Sequence, residues 1–74
     1  EVVQRYRPYV AAQLARGIRL TTLVKPLMGL FHAEPGGRLF RRILSEEGAR
    51  RGAGVEVIDR ALDAVFEAMA RRAA

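Results

Sequence analysis

At 74 residues the chain has room for one domain, and a unit of that size buries only about 60% of the surface its unfolded form exposes. Half of the residues are apolar and 28% are charged, a balance that excludes the composition of a disordered segment, and the lack of cysteine excludes disulfides, thiolate metal sites and a cysteine nucleophile. The net charge of +5 is unevenly spread, with eight basic side chains against two acids up to Arg42 and five against six thereafter, which favours a polyanionic partner, nucleic acid before a membrane surface.

No run approaches the roughly 18 apolar residues of a membrane span, and the first residues lack the basic-then-apolar plan of a secretory leader. A soluble, cytoplasmic domain covering residues 1–74 is the expectation.

Four helical segments and no convincing period-2 alternation predict an all-α fold. The first helix is expected over about Val2–Arg16, with Val3, Tyr6, Val10 and Leu14 on its apolar side and Gly17 in a left-handed C-terminal cap. Pro8 either starts its regular part or kinks it. The second is expected over about Thr22–Ala33, capped by Thr21 or Thr22, with Leu23, Leu27, Leu30 and Phe31 as its stripe. Pro26 opposes an early start, because a proline beyond the first turn removes a hydrogen bond and clashes with the preceding turn.

Glu34, Pro35, Gly36 and Gly37 break the pattern, and Pro35 suits the first position of a third helix over about Pro35–Ala49. Gly48, Gly52 and Gly54 loosen the exit from it. The fourth helix, about Val55–Arg72, sets Ile58, Ala61, Leu62, Val65, Phe66 and Met69 against a charged side of Glu56, Asp59, Arg60, Asp63 and Glu67. Short connections favour antiparallel neighbours, so a small antiparallel four-helix bundle is the simplest packing.

The third helix carries the candidate site. At 100° per residue Leu39, Phe40, Ile43 and Leu44 share an arc of about 140°. Arg38, Arg41, Arg42 and Ser45 take the opposite arc with no acid among them. An Arg42–Glu46 pair at its margin would contribute only about 0.3–0.5 kcal/mol. Guanidinium forks three to four residues apart match successive phosphates, and the Gly36 and Gly37 amides at the helix start form a weaker second anion site. The bland alternative is a solvated charged face.

Other residues carry less. His32 lacks a second ligand or base and is expected exposed near a helix end. Tyr6 and Tyr9 could stack on bases, but beside Val3 and Val10 they fit the core or its rim. Asp59, Asp63 and Glu67 share a helix face that serves solvation better than it holds a metal. No nucleophile, base and orienter are assembled, so no catalytic residue is expected in these 74 positions.

Through PYVAAQLARG and MGLFHAEPGGRLFRRILSEEGARRGAGVEVIDRALDAV, about Pro8 to Val65, the sequence resembles the C-terminal helical domain of bacterial tRNA-dihydrouridine synthases, closest to the A subfamily. The most specific residues are Gly29, Leu30, Phe31, Pro35, Gly36, Arg38, Arg41, Arg42, Leu44, Ser45 and Glu46. The chain departs from the family where Lys25 is followed by Pro26, Leu27 and Met28 instead of His-Met before the Gly-Leu-Phe run. The resemblance implies a parent enzyme that reduces a D-loop uridine of tRNA with FMN re-reduced by NADPH, in a β/α barrel that these residues do not include. It further implies tRNA and that barrel as partners, with Arg38, Arg41 and Arg42 on backbone phosphates and Lys25, Arg16 and Arg19 peripheral. The competing readings are a protein–protein docking module that does not touch RNA and a DNA-binding helix-turn-helix, the latter lacking Asn, Gln or varied base readers on the third helix.

Overall fold

The computed structural model describes residues 2–73, and every regular element among them is helical. Helix α1 runs Val2–Ala15, α2 Leu20–Leu23, a 3-10 turn follows over Lys25–Leu27, α3 is Gly37–Glu46 and α4 is Glu56–Ala73. The all-α class is therefore observed, with very unequal helices.

The end of α1 follows from one glycine. Gly17 takes φ +91°, its N–H donates to the Leu14 carbonyl at 3.0 Å, and the Ile18 N–H donates to the Gln13 carbonyl at 3.1 Å. These are the two bonds of a Schellman cap. Pro8 lies inside α1, which continues through it.

The second helix expected over Thr22–Ala33 does not form. Its only α-helical part is the single turn α2, which starts earlier and has Arg19 at its N-cap with no side-chain bond, so neither Thr21 nor Thr22 caps it. Pro26 supplies the reason: it has no N–H for the Thr22 carbonyl, and its ring would press on that turn. The chain tightens instead into three-residue steps, Leu27 N–H to Val24 O at 2.8 Å, Met28 N–H to Lys25 O at 3.2 Å and Leu30 N–H to Leu27 O at 3.0 Å. A spacing of three serves a 3-10 turn as well as an α-helix, so Leu20, Leu23 and Leu27 still reach the core.

Helix α3 is shorter than the expected Pro35–Ala49. Pro35 lies outside it, and the N-cap is Gly36 at φ +82°. A Cβ on Gly36 would stand 2.8 Å from Ala68 Cβ and 3.0 Å from Val65 Cα. The start of α3 thus presses on the C-terminal half of α4. At its other end Glu47 meets Arg60, near the beginning of α4, and the two helices run in opposite directions.

Phe40, Leu44, Ile58, Val10, Val24, Val57 and Val65 form the deepest part of the core. Each such side chain contributes about 1.5–3 kcal/mol by leaving water. Tyr6 ties α1 to α2 by donating its hydroxyl to the Leu23 carbonyl at 2.7 Å. Burial, and secondarily the neighbouring Tyr9, raises the Tyr6 pKa above the ordinary tyrosine value. No described helix is long and apolar enough to cross a membrane.

Candidate nucleic-acid interface

The inward side of α3 is fixed by Phe40 and Leu44, both fully buried, with Leu39 and Ile43 half-buried at its margins. With that side committed to the core, Arg38, Arg42 and Ser45 are exposed on the other. The described ion pairs are Arg7–Asp59, Arg60–Glu47 and Arg71–Glu67. None engages Arg38, Arg41 or Arg42, and the marginal Arg42–Glu46 pair is not among them. The stripe keeps its charge.

Arg41 departs from the expected outward row. It is half-buried, and its Nη1 is enclosed without a hydrogen-bond partner, the one such side-chain atom among the described residues. A buried unpaired donor costs on the order of 1–3 kcal/mol, more when charged, and an incoming acceptor would remove that cost only once the side chain turned out into the adjoining cleft. Arg41 borders a cleft of about 540 Å³ shared with Phe31, His32, Pro35, Arg38 and Arg72. Arg72 comes from the last turn of α4, and nothing in the pattern of the third helix points to it.

The wall of this cleft is a strained turn. Phe31 and Ala33 take φ +61° and +66°, in the left-handed region that non-glycine residues avoid. Phe31 is held there by its ring, edge-on to Phe40 at 5.0 Å and to Phe66 at 6.1 Å between centroids. Its carbonyl oxygen occupies the space a Cβ on Gly37 would need. Such outliers persist where the surrounding packing over-determines them, often at binding sites. The anion site expected at the Gly36 and Gly37 amides needs correction, because the Gly37 N–H already donates to the Glu34 carbonyl at 3.0 Å.

The peripheral residues divide by location. Lys25 is exposed on the 3-10 turn, whereas Arg16 and Arg19 are exposed beyond the end of α1. Arg19 lines a separate cavity of about 740 Å³ with Arg50 and Arg51 of the loop between α3 and α4. Arg19 therefore belongs to the opposite end of α3 from Arg38. His32 is exposed, as expected, but it follows the 3-10 turn and no helix ends there; Tyr9 is exposed and Tyr6 is anchored. Asp59 is no member of a metal set: it faces Arg7, and among the described residues no three His, Asp or Glu side chains are grouped to hold an ion.

Comparison with known proteins adds a finding independent of this geometry. Over 61 residues the chain is 48% identical to the tRNA-dihydrouridine(20/20a) synthase of Xanthomonas campestris pv. campestris, taking in 82% of this chain and 18% of that protein. The chain is a relative of these synthases. The enzyme of the same name from Vibrio parahaemolyticus is 42% identical over 62 residues, 84% of this chain and 19% of its own length. That from Pasteurella multocida is 40% identical over 65 residues, 88% of this chain and 20% of its own. The chain thus spans about a fifth of the synthases it matches, as a fragment of such an enzyme would. No family model matches it, and no solved structure does.

Proposed function

We propose that this chain is the tRNA-holding helical segment of a tRNA-dihydrouridine synthase, a C-terminal domain of the A-subfamily kind, acting in the cytoplasm. The single observation that carries this reading is the unneutralised stripe of α3, where Arg38 and Arg42 are exposed and Arg41 keeps a buried Nη1 without a partner. Supporting it, the relatives' shared name is that of an enzyme acting on tRNA.

In this reading the guanidinium groups of Arg38, Arg41 and Arg42 hold backbone phosphates, with Arg72 closing the cleft from α4. Phosphate contacts fix orientation and register and carry no base identity. The chain's task is then to hold a folded RNA in a pose from which a uridine can be extruded, since an enzyme working on a base must unstack it. Reduction of that uridine by FMN and NADPH belongs to a barrel elsewhere in the parent protein. No residue of this chain is assigned to either cofactor.

The test is a binding isotherm on tRNA across a salt series. Replacing Arg38 and Arg42 by Ala should lower affinity and flatten the log–log salt slope by about 0.7–0.9 for each phosphate no longer neutralised. Unchanged slope and affinity would remove α3 from the interface and leave docking onto another protein domain as the role of the segment.

A further inference from the structure

We infer that the chain carries a second phosphate-binding site, built by Arg19, Arg50 and Arg51, and that one RNA backbone spans from it to Arg38 and Arg42. The inference rests on the RNA-binding reading above and adds a site to it.

Two chain segments far apart in sequence make the site. The turn after α1 and the loop between α3 and α4 face one another across the cavity of about 740 Å³ that Arg19, Arg50 and Arg51 line. Leu20 is buried between them, and its Cδ2 would lie 3.7 Å from a Cβ on Gly48, so the approach is fixed by packing. All three arginines are exposed, and no described ion pair or hydrogen bond occupies their guanidinium groups. The nearby acids do not cancel them. Glu47 is held by Arg60 at 2.6 Å, and Glu56 accepts the Gly54 N–H at 3.1 Å, while Glu46 lies exposed on the last turn of α3. Three arginines and no acid line the cavity, while Glu46 and Glu56 lie outside that lining and take part in none of the described ion pairs.

The separation of the two sites selects the ligand. Helix α3 has ten residues, which at 1.5 Å each put its ends about 15 Å apart. A single phosphate cannot bridge that span. A polyanion with a stiff, regularly charged backbone can, and folded RNA has one, whereas an acidic peptide would have to be ordered on binding at an entropic cost. The guanidinium fork matches phosphate oxygens at both ends.

The test compares the 74-residue chain with Arg50→Gln/Arg51→Gln, Arg38→Gln/Arg42→Gln and the combined variant, titrating tRNA at several salt concentrations, with far-UV circular dichroism confirming retained helix content. Each pair should flatten the log–log slope by about 1.4–1.8, and the combined variant by the sum. Arg50→Lys/Arg51→Lys should keep the slope while weakening binding, because charge remains and the fork is removed. If only the Arg38/Arg42 pair alters binding, the second site is overturned and the RNA reading stands. If neither pair alters it, both fall. Displacement of tRNA by polyglutamate at equal charge concentration would show a generic acid-binding patch and also overturn the inference.

Discussion

Arg7 on α1 donates from Nε and Nη2 to the two carboxylate oxygens of Asp59 on α4, at 3.0 and 2.9 Å, across 52 positions of sequence. It is a two-point clasp between the first and last helices, and Arg7 holds the Asp59 carboxyl below the usual aspartate pKa. Both side chains are about 40% exposed, so solvent screens the pair and its share of stability is small. Its sign is nevertheless defined. A carboxylate with a depressed native pKa stabilises the fold above its unfolded pKa and loses that contribution as pH falls through the native one. Denaturant midpoints measured from neutral pH down through the carboxylate range should therefore fall less steeply in Asp59→Asn than in the unmodified chain. Equal slopes would mean that the clasp does not form in solution.

Gly36→Ala should destabilise the fold by about 2 kcal/mol or more, since it forces alanine to φ +82° and drives its Cβ into Ala68 and the Val65 backbone. A lower urea midpoint with an unchanged m-value would report it. A midpoint equal to the unmodified chain's would contradict the close approach of α3 to α4.

The opposite outcome is expected one turn earlier. Ala33 sits at φ +66°, where alanine is strained by roughly 1–2 kcal/mol and glycine is not. Part of that gain is offset by the greater freedom of glycine in the unfolded chain. Ala33→Gly should accordingly raise the midpoint slightly, and a clear fall would show that the turn is differently wound.

Arg41→Met separates stability from binding. Methionine retains the apolar stem and removes the nitrogen that lies buried without a partner. The variant should be at least as stable as the parent chain and should bind tRNA more weakly, with a slope reduced by about 0.7–0.9. A loss of stability would mean that Nη1 has a partner in the folded protein.

The long helices and the stripe were legible in the sequence because each repeats a local pattern. Val10 and Leu14 precede a glycine that can take the cap, Phe40 and Leu44 recur at four, and Arg38 and Arg42 must then face outward. Thr22 to Ala33 misled because leucines at steps of three and four satisfy an α-helix and a 3-10 turn alike, and Pro26 decides between them only through the carbonyl it cannot serve. Arg41 could not be placed from a helical wheel, since its depth depends on Phe31 folding back through a left-handed conformation over the start of α3. Arg72 and the grouping of Arg19 with Arg50 and Arg51 depend on which loops meet, a property of tertiary packing that no single segment encodes.

The interruption at Pro26 has an evolutionary corollary. One residue added inside a continuous helix turns every later side chain by 100°, so a bundle whose helices ran uninterrupted would tolerate no change of length between its core positions. A chain that passes from Val24 to Gly36 by successive reverse bends absorbs an added or deleted residue where it occurs, and insertions among kindred sequences should gather there while the facing surfaces of α3 and α4 stay in phase.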